Sequence, residues 1–396
     1  MNSNLLFIYE QDMPTVSSIR EEFLHLTENG IVNAKFLELK RVDHTDIEKN
    51  DVIIFIRPND ILTPIIAKHA KHARKFIIVF CDDDLLAKVP EAPWRVEGLK
   101  KLFYYTDVMW SSSKYICEKY QEYIPSKRIT VTDTVVRPEQ IHKPLQGTKN
   151  KIGNKKVKIV YAANVAHMSQ FETYILPIMP KIVEEFSDKV SLTFIGVKPK
   201  LAEYESKIEI HYKDVMPLEE YRAYMELQNF DIGIAPLCET EFTKCKYANK
   251  YIEYSLSGVM GVYSKIIPYI YAVKDYKTGI LAENTEEGWF YAIKFAIEDI
   301  EFRRKCVMLA QEDLRKNYSE EKILEKLWKE VPELKQYQYK KAKKSCKSFI
   351  LAKGLYYVSR LFDWFYLSGY YWKIGGFQGF YNKLKTHIKG KSAYAR

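Results

Sequence analysis

Cysteine is scarce in this chain: six residues of 396, at positions 81, 117, 238, 245, 306 and 346. They make no C-x-x-C pair and no regular spacing, which argues against a disulfide framework and for reduced thiols. Cys238 and Cys245 have no histidine close by in sequence, so nothing there indicates a zinc site. The first ten residues lack a basic segment, and the apolar run of residues 5–9 is too short for a secretory leader. No short internal repeat is present. These absences lead to the expectation of a cytoplasmic protein.

A long apolar run free of charge is also missing. The best candidate, 349–372, would place Arg360 and Asp363 near the middle of a bilayer. Each would cost about 2.5–3.5 kcal/mol there, against about 4 kcal/mol returned by all its strongly apolar side chains. Spanning is not favoured. A basic excess in the body is missing as well. Residues 331–396 hold 14 Lys and Arg against 2 Asp and Glu; the other 330 residues hold 47 basic and 49 acidic side chains. A nearly neutral body offers no surface for nucleic acid. The basic segment reads as an appended surface-binding element.

What is present is a normal globular composition, 47% apolar and 28% charged, in a chain long enough for two domains and an extension. Apolar strand-like segments alternate with helical ones. Residues 4–10, 51–58, 75–84 and 128–135 read as strands, as does the start of 107–123. Residues 17–30 and 60–73 read as helices, and 107–123 runs on through a serine turn into another. The polar stretch 143–156 reads as a linker. The pattern then restarts, with strands at 157–164, 190–197, 207–212, 230–237 and 259–264 and helices at 169–186, 217–228, 244–257, 285–318 and 319–331. Pro177 and Pro180 should kink or split the first of these helices. The sequence therefore predicts an α/β fold of two doubly wound Rossmann-like domains, with a C-terminal helical, aromatic and basic extension. The expected boundaries are 1–148, 149–318, a helix at 319–334 with the option of packing back on the first domain, and the extension 335–396.

In a parallel sheet ligands bind beyond the carboxyl ends of the strands. In the second domain two segments should meet there, "NVAHMSQFE" after one strand and "LCETEFTKCKYANKYIEY" after another. In a continuous helix over 244–256, Lys246, Lys250 and Glu253 would share one face at spacings of four and three. Two readings are open. One is a solvated ion-pair stripe. The other is a grip on a nucleoside diphosphate, with the ammoniums and a helix N-terminus on the phosphates and the carboxylate accepting from the ribose hydroxyls.

The stretch "FDIGIAPLCETEFTKCKYANKYIEYSLSGVMGVYS" and the later "KTGILAEN" resemble the nucleotide-sugar half of retaining GT-B glycosyltransferases of the "glycosyl transferases group 1" type. Asp231, Pro236, Lys250, Glu253, Gly258, Thr278 and Gly279 fill the places of that pattern. The resemblance is specific in the second domain and loose in the first. It implies sugar transfer from a nucleotide-sugar co-substrate with retention, donor binding by the second domain, acceptor binding by the first, and no required metal or cofactor. It implies donor contacts from Lys246, Lys250, Glu253, His167, Asn164, Pro236 and Leu237. Two departures stand out. The position eight before Glu253, a glutamate in the common signature, is Cys245, with Glu239 or Glu241 as substitutes. The usual glycine-rich loop is replaced by residues 164–167.

At strand ends of the first domain, Arg57, Asp82, Asp83, Asp84 and Ser111 are expected at the cleft, as acceptor-side contacts or, alternatively, as caps and ion pairs. The acceptor class this implies is a polysaccharide or lipid-linked glycan precursor. The 335–396 extension would lie on an anionic membrane surface, at the inner face of the plasma membrane, or pack on the body. The alternatives are another GT-B reaction, epimerisation or polyol-phosphate transfer, and a non-catalytic nucleotide-sugar-binding relative.

Overall fold

The computed structural model describes residues 2–86, 93–124, 127–132, 134–142, 156–337 and 349–393. Two compact units account for them, Met1–Asp133 with Leu327–Arg396, and Thr134–Lys326. The boundary read at 148/149 and the linker 143–156 fall on residues outside the described ones, apart from residue 156.

The first unit is built on a six-stranded parallel sheet: β1 (Asn4–Tyr9), β2 (Asn33–Glu38), β3 (Val52–Ile56), β4 (Phe76–Phe80), β5 (Val108–Ser111) and β6 (Lys127–Thr130), in the order β2-β1-β3-β4-β5-β6. Every residue of β3 is buried, as an apolar run covered on both faces requires. β2 is an edge strand in which apolar and polar residues are mixed and all are at least partly exposed, so its sequence lacks the unbroken apolar run of a central strand. The helices His44–Lys49 and Pro93–Tyr105 likewise escape the sequence pattern. The first helix starts earlier than expected, at Pro14, and ends before Gly30, whose φ of +67° only glycine adopts readily. Asp60 caps the helix Thr63–His72, accepting from the Leu62 and Thr63 amides at 2.7 Å. The extension is helical from Ile350 to Ala393 and rests on this unit. Among the described residues no helix is long and apolar enough to cross a membrane.

The second unit repeats the plan with β7 (Val157–Ala162), β8 (Val190–Ile195), β9 (Glu209–Lys213), β10 (Ile232–Ala235), β11 (Met260–Ser264) and β12 (Ile280–Ala282), in the order β12-β11-β10-β7-β8-β9. The helical stretch 169–186 is divided at its prolines into Met168–Tyr174, a short turn Leu176–Ile178, and Met179–Phe186. The stretch 285–318 divides at Asp299, whose carboxylate caps the second piece through the Phe302 amide at 2.8 Å.

Two glycines set the spacing between sheet and helix. Gly233 of β10 and Gly261 of β11 stand opposite each other in register. Their missing side chains leave room for the rings of Tyr254 and Tyr263. Tyr263 is fully buried, and its hydroxyl has no hydrogen-bond partner among the described residues. Tyr263→Phe is therefore expected to raise unfolding stability by about 1–2 kcal/mol, because it removes an unsatisfied buried hydroxyl at constant shape. Urea denaturation reads this directly; a loss of stability would mean that the hydroxyl is satisfied in solution.

Candidate functional site

The strand order of the second sheet reverses between β7 and β10. From β7 the chain moves outward through β8 to β9; it then crosses to β10 and moves the other way through β11 to β12. Connections leaving β7 and β10 turn to opposite faces, which opens a crevice beyond their carboxyl ends. The two segments singled out in the sequence, 164–172 and 237–254, contain those connections and the starts of the helices they feed.

The first connection is short. Asn164 is exposed, its carbonyl accepts the His167 amide at 2.9 Å, and a single turn Val165–His167 follows. The Tyr161 hydroxyl donates to the His167 carbonyl at 2.7 Å and fixes that turn to the strand. Burial, then the positive fields of Lys246 and Lys250, hold the His167 imidazole below its usual pKa. The fields of both ammoniums thus reach the imidazole.

The second connection is clamped from residues far away in sequence. Pro236 and Leu237 are buried. The Leu237 amide donates to Ser264 Oγ at 2.8 Å, and Asn284 Nδ2 donates to the Leu237 carbonyl at 3.0 Å. Ser264 Oγ donates in turn to Asn284 Oδ1 at 2.7 Å. The Cys238 amide donates to Gln170 Oε1 at 2.5 Å and ties this connection to the helix that follows the first. Ser264, Asn284 and Gln170 carried no signal in the sequence, because each works through one atom of a strand end or helix face.

The helix expected over 244–256 is broken. A short helix Glu241–Lys244 is capped by Thr240, and the chain then bends through Cys245–Ala248 before Asn249–Leu256 begins. Burial of Cys245 and Ala248 holds the bend against the core. Lys246 therefore lies in the bend and not on the helical face shared by Lys250 and Glu253. From the bend, and not through helical spacing, the charge of Lys246 reaches His167. Its ammonium sits 4.8 Å from the Phe242 ring centroid, and no carboxylate pairs with it among the described residues. Lys250 Nζ lies 2.5 Å from Glu253 Oε2, with the side chains 26% and 32% exposed. The Tyr221 hydroxyl donates to the same Oε2 at 3.2 Å. Burial, then the Glu253 charge, push the Tyr221 hydroxyl well above its usual pKa, so it stays a donor. Lys250 also lies over the Tyr221 ring, at 5.5 Å. Two cations, one imidazole and one carboxylate thus gather at the reversal point. Glu239 and Glu241 face Lys244 instead, at 3.7 and 3.0 Å, and Cys245 is fully buried.

In the first unit the strand-end residues divide into two groups. The Arg57 guanidinium pairs with Asp82 at 3.0 Å and Asp83 at 3.4 Å, and Thr15 donates to Asp82 at 2.6 Å. These groups remain partly exposed. Asp84 is fully buried and accepts from Lys119 at 2.6 Å and from the Tyr120 hydroxyl at 2.8 Å. Ser111 is also fully buried and accepts the Ser113 amide at 3.1 Å, while Ser113 caps the next helix. Both are consumed by the core and offer nothing to a ligand. Glu10 and Asp60, which carried no signal in the sequence, lie after β1 and β3, where this sheet reverses. Burial raises the Glu10 carboxyl, and burial and then Glu10 push Asp60 up to about 6. Among the described residues no group of three or more His, Cys, Asp and Glu is arranged to hold a metal ion.

No protein-family model matches this chain, and no curated protein does. Solved structures do. HepE from Anabaena in complex with UDP and glucose aligns over 84% of this chain and 100% of its own, with a TM-score of 0.59 and 11% identity. Sucrose-phosphate synthase from Thermosynechococcus elongatus aligns over 84% and 99%, with a TM-score of 0.60 and 10% identity. The lipopolysaccharide outer core galactosyltransferase WaaB aligns over 83% and 99%, with a TM-score of 0.58 and 10% identity. At such identities the likeness is one of fold. Two parallel six-stranded sheets with flanking helices match the GT-B architecture, and a helical C-terminal extension is added.

Proposed function

We propose that this chain is a glycosyltransferase that moves a sugar from a nucleoside-diphosphate donor to a polysaccharide or lipid-linked glycan precursor, with retention at the anomeric carbon. The gathering of Lys246, Lys250, His167 and Glu253 where the second sheet reverses carries this reading. The shared fold with UDP-bound structures supports it. In the reaction the bond from the anomeric carbon to the diphosphate oxygen breaks, and the acceptor oxygen bonds to that carbon. The acceptor proton leaves to the departing phosphate or to water. The barrier is the charge that accumulates on the leaving group. Lys246 and Lys250 neutralise it, and Asn164, Pro236 and Leu237 line the nucleotide. Glu253, steadied by Tyr221, accepts from the ribose hydroxyls. Arg57, Asp82 and Asp83 are the acceptor-side candidates.

A thermal-shift panel of UDP-, GDP-, dTDP- and CMP-sugars tests the donor site. A rise in Tm with at least one member is expected; no shift with any overturns the assignment. A second reading is favoured by one observation: Cys245 replaces the first glutamate of the common signature, and Glu239 and Glu241 are turned to Lys244. On that reading the chain binds nucleotide sugar without transferring it. Binding without nucleoside-diphosphate release, across an acceptor panel, decides for it.

The His167 shift gives a pH prediction. In the free protein burial first, and then the lysines, depress the imidazole pKa. A bound diphosphate neutralises them and adds its own negative charge, so the pKa rises on binding. Binding then takes up a proton, and affinity for a nucleotide sugar should increase as pH falls from 7.5 to 5.5, by about threefold to tenfold. A nucleotide sugar has no phosphate ionisation of its own in this range, so the effect reports the protein. His167→Gln should flatten the profile; an unchanged slope removes His167 from the site.

A further inference from the structure

We propose that the outward face of the C-terminal helix docks this protein flat on a phospholipid bilayer bearing anionic headgroups. The helix has its polarity reversed relative to an ordinary surface helix. Its polar stripe faces the first unit. Asp363 is 6% exposed and accepts from Trp94 Nε1 at 2.8 Å and Arg95 at 2.6 Å. Arg360 pairs with Glu10 at 3.1 Å, and the Tyr356 hydroxyl donates to Glu10 at 3.0 Å. Phe349, at the start, packs against the His69 ring. The opposite face is apolar. Leu351, Leu355, Val358, Leu361, Phe362 and Phe365 are each between 48% and 79% exposed. Between residues 350 and 372 the charged residues are Lys353, Arg360 and Asp363, and helical spacing puts all three on the side of the buried Tyr356.

A row of large exposed apolar side chains of this length needs an occupant. Charge selects it. The segment 331–396 carries 14 basic residues against 2 acidic, among them Lys383, Lys385, Lys389 and Lys391. Anionic headgroups complement that excess, whereas a second copy of the same helix would set like charges against each other. The polar stripe that makes a bilayer span unfavourable is already satisfied by Glu10, Trp94 and Arg95, so the helix can present its apolar face to lipid without burying a charge. This inference is independent of the donor site.

Flotation of the full chain with mixed phosphatidylcholine–phosphatidylglycerol vesicles tests it. The wild type is expected to float with the vesicles, and Phe362→Glu with Phe365→Glu to lose about tenfold or more of the bound fraction. Near-UV circular dichroism checks the fold of the variant. A second pair on the same face, Leu351→Ser with Leu355→Ser, repeats the test at a smaller perturbation. Failure of the wild type to float, or flotation of both paired variants at the wild-type level, overturns the proposal. So does a lipid-free dimer by light scattering that the Phe362/Phe365 pair dissolves. The nucleotide-sugar thermal shift should be the same in all these variants, which separates this result from the fate of the donor site.

Discussion

Lys250→Ala should weaken nucleotide-sugar binding by about a hundredfold, and Glu253→Ala by about tenfold to a hundredfold, with the fold intact. The argument compares two magnitudes. An exposed ion pair at spacing i,i+3 contributes about 0.3–0.5 kcal/mol to stability. With both side chains about a quarter to a third exposed, the Lys250–Glu253 pair belongs near that range. If the pair were only structural, each variant would shift Tm slightly and leave binding unchanged. A charge-assisted hydrogen bond to a phosphate or a ribose hydroxyl contributes about 1.5–3 kcal/mol, which is a factor of about ten to a hundred in affinity. The two readings therefore differ in which quantity moves. In Lys250→Ala the Tyr221 hydroxyl still holds Glu253, so the loss reports the ammonium alone. Calorimetric titration with the nucleotide sugar found by the panel makes the measurement. Affinities within twofold of wild type for both variants would take the donor away from this site.

The other large effect comes from a residue that touches no ligand. Gly233→Ala would place a Cβ 2.5 Å from the Tyr254 ring. Tyr254 cannot yield: it is fully buried, its hydroxyl donates to the Ile234 carbonyl at 3.0 Å, and its ring lies against Tyr263. Either β10 or the helix Asn249–Leu256 must shift. Overpacking of this kind costs about 1–3 kcal/mol. Tyr254 directly follows Glu253, so the displacement reaches the carboxylate proposed to hold the donor within one residue. Both Tm and nucleotide-sugar affinity should fall together, the affinity by about tenfold. Retention of both would mean that the helix is not seated on the strand through this ring.

Much of the architecture was legible in the sequence because it rests on local patterns. A fully buried parallel strand such as β3 is an unbroken apolar run, and Pro177, Pro180 and Gly30 interrupt or end helices by their own backbone chemistry. Edge strand β2 was not legible, since an edge needs no apolar run. The same division holds at the site. Lys250 and Glu253 stand one helical turn apart, and their pairing follows from spacing alone. Lys246 does not, because Cys245 and Ala248 sink into the core and break the helix between the two lysines. Asp82, Asp83 and Asp84 are indistinguishable as letters, yet only the last is drawn inward, by Lys119 and Tyr120 from a helix and a turn further along.

By itself the sequence determined the alternation of strands and helices, the confinement of excess positive charge to the last 66 residues, and the ammonium–carboxylate spacing of Lys250 and Glu253. Tertiary structure alone decided that the second sheet reverses between β7 and β10, that the charge of Lys246 reaches His167 there, and that the C-terminal helix turns Asp363 and Arg360 inward. The physical reason is range. Periodicity and backbone preference act over a few residues, whereas burial and charge pairing depend on partners such as Glu10 and Arg360 that lie 350 positions apart.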